Sequence, residues 1–314
     1  MDIVDHHGLS VAHVSPEEVA GRPWYGARRH IDVVRATAPP AGAYGELAAA
    51  GFIRKPAFLS WTAELGPDED AFLSRLETKA RQDIRRSRAR ADRVLTLEVH
   101  DPVGPDVLDR FLALYRQRVD AMAYGIPIAS RQRERLLDGR EKYFAVLALR
   151  DGELAGGCIA WECPEEDAVR IRFSAVTEEW RRDSLARTLY FAAMRTARDK
   201  GYRWATLGDE PNLYGHLTKA GLFRFKVRMG FRCVPSQDFH DPDGLDEADL
   251  VLNLDRLCDP CLILGYASDA PGELSLRARL VTGAPIDLRA YAAPFLAGVE
   301  HTPPAGTPAR AAAS

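Results

Sequence analysis

The sequence has no apolar run near the roughly 20 residues that span a bilayer, and its opening, MDIVDHHGLSVAHVSPEEVAG, lacks a basic flank followed by an apolar stretch. A membrane anchor and a secretory leader are therefore not expected, and a cytoplasmic location is. Cysteine is scarce and odd in number: Cys158, Cys163, Cys233, Cys258 and Cys261. That count suits free thiols in a reducing compartment better than a disulfide framework. Cys258 and Cys261 form a C-x-x-C, but zinc takes about four ligands and no second pair follows, so no metal is expected. The eight histidines are scattered, and no internal repeat of fixed period is present. Overall charge bias is also lacking. A net charge of −3 with 46% hydrophobic residues excludes a chain too polar to fold and argues for an ordinary globular protein.

Charge is present locally. Residues 75–93 (RLETKARQDIRRSRARADR) and 170–232 are basic, whereas 238–255 are acidic. Basic surfaces on a near-neutral chain suit a phosphorylated ligand, such as a nucleotide cofactor or an RNA end, better than general duplex binding.

Residues up to about 50 mix short apolar pieces with turn residues. From Pro56, FLSWTAEL reads as a strand and residues 70–93 as a helix, with Phe72, Leu73, Leu76, Ala80 and Ile84 on one face and arginines on the other. VLTLEVH alternates as a strand. Leu108, Phe111, Leu112, Tyr115 and Val119 mark a second amphipathic helix, and a shorter one follows around 130–137. YFAVLALRDGELAGGCIAWEC is a hairpin turning at Arg150–Gly152, VRIRFSAVT is a third strand, and RRDSLARTLYFAAMRTARDKG is a helix closed by Gly201. YRWATLG, and later DLVLNL, LILGYA and ELSLRARLV, read as further strands. The expected class is α+β with a mixed, mostly antiparallel sheet flanked by helices. The expected parts are residues 1–100, carrying the basic helix, 103–236, a β-rich extension at 237–301, and a disordered Pro/Ala/Thr tail at 302–314.

This element order resembles the GNAT superfamily of N-acyltransferases, in which the helix after the third strand opens with R-x-x-G-x-G/A. The matching residues are Arg181-Arg182-Asp183-Ser184-Leu185-Ala186. Such a loop presents backbone N–H groups and a positive helix end to a pyrophosphate. Ser184 stands where glycine is usual; it is suited to cap the helix but disfavours positive φ. GNAT proteins commonly place a tyrosine, as thiolate acid for coenzyme A, where this chain has Lys226. Phe225-Lys226 followed by Gly230 is similar instead to the F-K-x-x-x-G element of the Fem family, tRNA-dependent peptidyltransferases with duplicated GNAT lobes. Lys79, Arg81, Ile84, Arg85 and Arg86 resemble that family's K-x-R-x-x-I-R-R/K helix, which implies that residues 1–100 are a partial second GNAT-like lobe.

Acyl transfer to an amine needs a neutral nucleophile, a base for its proton, a donor for the oxyanion and a proton for the leaving group. Asp209 and Glu210, ending the strand YRWATLG, are the candidate bases. The Fem resemblance implies that Lys226 stabilises the oxyanion or holds the donor's terminal ribose and phosphate. Phe225 is suited to stack on a terminal adenine. Arg181, Arg182, Ser184, Ala186 and Asn212 join it as donor-binding candidates, and Arg85, Arg86, Arg90 and Arg93 are candidates for RNA phosphate. Lys226→Ala is expected to abolish transfer while leaving the fold intact. The leading expectation is aminoacyl transfer from charged tRNA to an amine of a peptide-like or small-molecule acceptor, with no tightly bound cofactor. Two alternatives stand beside it: an N-acetyltransferase using acetyl- or acyl-coenzyme A, and a non-catalytic GNAT-like module that binds RNA or protein.

Overall fold

Apolar residues alternate along the N-terminal strands, and the alternation decides which face each side chain covers. A computed structural model describes residues 1–182, 184–268 and 274–305. Along the chain lie β1 (Asp2–His6), β2 (Leu9–His13), α1 (Pro16–Val19), β3 (Val33–Thr37), α2 (Tyr44–Ala49) and β4 (Ile53–Pro56). Next come β5 (Phe58–Glu64), α3 (Glu69–Ser74), α4 (Thr78–Ala91), β6 (Thr96–His100), α5 (Pro105–Asp120), α6 (Ile128–Arg131) and α7 (Arg133–Leu137). They are followed by β7 (Lys142–Arg150), β8 (Glu153–Cys163), β9 (Ala168–Val176), α8 (Glu178–Arg181), α9 (Leu185–Asp199), β10 (Trp204–Pro211), α10 (Ala220–Arg228) and β11 (Arg232–Pro235). The last strands are β12 (Asp246–Val251), β13 (Cys261–Tyr266), β14 (Leu276–Val281) and β15 (Leu296–Thr302).

The contacts divide this chain into two units. One holds residues 1–60, 209–227 and 233–314; the other holds 61–208 and 228–232. This differs from the consecutive division expected from sequence, and the reason is one strand. β12 inserts between β3 and β4, pairing Val34 with Leu250 and Arg54 with Ala248, so the start and the end of the chain share one sheet of order β1-β2-β3-β12-β4. Ala12, Val34 and Leu250 pack on one face with Trp24, Leu47 and Phe52. Their neighbours Val11, Val33 and Val251 pack on the other with Leu213, Cys261, Ile263 and Val281. Residues 237–301 are thus not a separate extension. Thr302 ends β15, and the expected disordered tail falls largely at 306–314, outside the described residues.

The second unit is α+β with the GNAT arrangement, its strands running in the order β5-β10-β9-β8-β7-β6. β6 through β9 are antiparallel, and β10 runs parallel to β9. The hairpin turns at Asp151 and Gly152, both at positive φ (50° and 84°). Two consecutive glycines set the layer spacing. A Cβ at Gly157 would lie 3.2 Å from the Phe111 ring of α5, and one at Gly156 would lie 3.0 Å from Leu185 of α9, so both helices approach the strand closely. The stretch expected as one helix over 70–93 is two, α3 and α4, separated at Arg75–Glu77. α4 packs against α9, and its buried residues Ala80, Ile84, Ser87 and Ala91 form a helical stripe of small and apolar residues. Among the described residues no helix is long and apolar enough to cross a membrane.

Candidate active site

Helical spacing buries Lys226. On α10 the inward positions are Ala220, Phe223 and Lys226, three residues apart, so the lysine falls on the stripe that the apolar residues define. An ammonium in that place needs a counter-charge. Glu210, near the end of β10, supplies it: Lys226 Nζ donates to Glu210 Oε2 at 2.6 Å, and Tyr214 Oη donates to Oε1 of the same carboxylate at 2.5 Å. Lys226 is 7% exposed, Glu210 9% and Tyr214 0%. Burial holds Lys226 below the ordinary lysine range, and the charge of Glu210 opposes that shift. Burial likewise pushes the nearby Cys233 thiol up, with Glu210 adding to it.

The expectation that Lys226→Ala would leave the fold intact does not survive this geometry. Removing one member of a buried pair leaves the other uncompensated, at a cost of about 3–5 kcal/mol. Asp209 points elsewhere; it is exposed and accepts a hydrogen bond from Ser60 Oγ. Phe225 is half-buried beside Lys226 in sequence. Asn212 is wholly buried, and its amide is occupied by backbone. Nδ2 donates to Pro56 O (3.0 Å) and Leu264 O (2.8 Å), and Oδ1 accepts from Leu264 N–H (2.9 Å), which makes it a structural tie rather than a free donor-binding group.

The second unit carries the other candidates. β9 and β10 pair over Ala168–Arg170 and Trp204–Thr206. Against β8, β9 has a bulge in which Arg172 is the extra residue, since Ile159 faces Phe173 and Ala160 faces Ile171. A bulge beside the end of a parallel pairing re-aims backbone groups where two strands part. After β9, Ser184 opens α9 at φ 58° and ψ 33°. The serine therefore takes the left-handed conformation that glycine would take, and its side chain does not cap the helix. Its carbonyl accepts from Ser87 Oγ of α4 at 3.1 Å.

Arg85, Arg86, Arg90 and Arg93 are all exposed on α4 and just past its end. Arg88, on the inner side, is engaged by Glu69. Arg181 and Arg182 are exposed and Ala186 half-buried at the start of α9. The structure thus brings together Lys226 and Glu210, and separately the α9 start and the α4 arginines. Tyr214, Ser60 and Ser87 gave no sign in the sequence. Tyr214 lies in a loop, where neither helical nor strand spacing links it to Glu210. All five thiols are free, with Cys258 partly exposed and the other four buried.

Residues 109–215 match the acetyltransferase (GNAT) family. None of the curated proteins matches the sequence. Among solved structures, FemX is similar at 13% identity and TM-score 0.45, over 78% of this chain and 81% of that one. The C-terminal domain of a protein described as a lysylphosphatidylglycerol synthetase from Agrobacterium fabrum is similar at 14% identity and TM-score 0.41, over 78% and 79%. A tandem GNAT protein from the clavulanic acid biosynthesis pathway is similar at 15% identity and TM-score 0.40, over 70% and 64%.

Proposed function

Taking as premise that residues 109–215 are a domain of the acetyltransferase (GNAT) family, we propose that the protein is an N-acyltransferase using aminoacyl-tRNA as donor and an amine of a peptide-like or small-molecule acceptor as nucleophile. The observation that carries this donor is the exposed row Arg85, Arg86, Arg90 and Arg93 beside the start of α9. Arginine binds phosphate through paired N–H groups, and a row of them suits a phosphodiester chain with one charge per nucleotide. Arg181, Arg182 and the backbone at Ser184 and Ala186 hold the phosphate nearest the helix start.

In the reaction the acceptor's neutral amine attacks the ester carbonyl, a C–N bond forms, and the bond to the ribose oxygen breaks. The amine's proton ends on that oxygen. Glu210 takes the proton from the amine, with Asp209, one residue earlier and exposed, as the other carboxylate within the same strand end. Lys226 supplies positive charge to the tetrahedral oxyanion, and Phe225 stacks on the terminal adenine, a contact worth about 1–3 kcal/mol. A lysine held below its ordinary range by burial, and still paired with a carboxylate, supports this division of labour.

A second reading keeps the transfer and takes acyl-coenzyme A as donor. The left-handed backbone at Ser184 favours it, since it recovers the loop geometry that the serine was expected to spoil. Melting with ligand separates the two. A ligand bound only by the native state at about 100 times its Kd stabilises by about 2.7 kcal/mol. Uncharged tRNA is expected to raise the melting temperature and coenzyme A to leave it unchanged; the reverse result sinks the tRNA donor. Binding of tRNA with no transfer to any amine marks a binding module.

A further inference from the structure

We propose that Tyr214 is a positioning residue for the Lys226–Glu210 pair, held in register by β13 of the C-terminal region. This rests on the reading of that pair given above. Tyr214 reaches one member of the pair and the helix that carries the other: its hydroxyl donates to Glu210, and its ring meets Phe223 of α10, three residues before Lys226, edge to face at 6.0 Å and 74°.

The tyrosine is itself fixed by backbone. Its N–H donates to Leu262 O at 2.8 Å, and Leu262 N–H donates to its carbonyl at 2.7 Å. Either side of it the chain is fastened to the same strand. Asn212 is tied to Leu264 in both directions, and Gly215 leaves no slack, since a Cβ there would stand 3.3 Å from Cα, Cβ and Sγ of Cys261. Residues 212–215 are in effect stitched along 261–264. The order of control runs from β13 to the Tyr214 hydroxyl, then to the orientation of the Glu210 carboxylate, and then to Lys226.

Chemically, the hydroxyl draws part of the carboxylate's charge. One oxygen of Glu210 is turned to Lys226 while the other is held by Tyr214, so the ammonium feels a shared rather than an undivided negative charge. Removing the hydroxyl frees the carboxylate to rotate and directs its full charge at the lysine, which then keeps its proton to higher pH.

The test is Tyr214→Phe, which keeps the ring and its contact with Phe223. Transfer is expected to fall about tenfold in kcat, the size of one lost hydrogen bond, with KM for the donor unchanged. The alkaline limb of the pH–rate profile should move upward. Fluorotyrosine at position 214, a stronger hydrogen-bond donor that leaves the packing nearly unaltered, should move the same limb downward, and it serves if the phenylalanine variant does not fold. A wild-type rate and profile in either variant overturns the positioning role. If the double variant Lys226→Met/Glu210→Gln instead retains full transfer, the placement of the chemistry at this pair fails.

Discussion

Lys226 has a side chain 8% exposed and lies 2.6 Å from Glu210, whereas Arg86 has a side chain 77% exposed with its nearest carboxylate, Asp83, 3.7 Å away. Both are cations on helices, in different units, and their surroundings differ. A buried ion pair is not a cheap way to stabilise a fold, because taking two charges out of water offsets most of their attraction. Retaining one on the apolar face of α10, where leucine would pack, suits a chemical use. The arginine row is the opposite case: exposed charges contribute little to stability, so the fold depends little on these residues.

The sharpest way to break that contrast is to neutralise each side. Lys226→Met should abolish transfer and destabilise by about 3–5 kcal/mol in urea unfolding, because it strands the Glu210 charge. Lys226→Met/Glu210→Gln should recover most of the stability and none of the activity. A double variant as unstable as the single one would show that packing, not stranded charge, governs the site. Replacing Arg85, Arg86, Arg90 and Arg93 together by Gln should lower tRNA affinity about 100-fold at low salt and flatten its salt dependence by roughly three units of slope, as loss of four phosphate contacts requires. Thermal unfolding should hardly move. Unchanged RNA binding would reduce the row to a solvated helix face.

Two smaller effects sharpen the comparison. Asn212→Ala should cost about 2 kcal/mol by orphaning the groups of Pro56 and Leu264, and, by loosening one of the ties of residues 212–215 to β13, move the alkaline limb upward by less than Tyr214→Phe does. An unmoved profile would show that the backbone pairing of Tyr214 with Leu262 holds the hydroxyl without Asn212. Ser184→Gly should stabilise by about 0.5–1 kcal/mol, relief of left-handed strain outweighing the added freedom of the unfolded chain. Calorimetry reads it, and a loss of stability would argue that the serine side chain has a use.

Much of the second unit was legible because its signals are local. The hairpin at Arg150–Gly152, the apolar stripe of α5 and the helix ended by Gly201 all follow from spacing within a few residues. The first unit was not, because β12 pairs with β3 across some 210 residues of sequence, and no local period announces a long-range pairing. The break between α3 and α4 escaped notice because both share one apolar period. At the site, Lys226 was visible through its register with Phe225 and Gly230. Its burial was equally readable from Ala220 and Phe223, six and three residues before it. Tyr214 was not readable, because its place depends on β13, which lies more than forty residues further on. Ser184 misled because residue preference spoke for one backbone conformation and the surrounding loop imposed another.

The central claim is transfer from a charged tRNA through the Lys226–Glu210 pair. It is tested most directly by incubating the protein with radiolabelled aminoacyl-tRNAs or acetyl-coenzyme A, a panel of amines (amino acids, dipeptides and polyamines), and an RNase control. Transfer through this pair predicts label on an amine from the tRNA pool, abolished by RNase and absent with Lys226→Met/Glu210→Gln. Label from the coenzyme A pool, indifferent to RNase and retained by that variant, would contradict it.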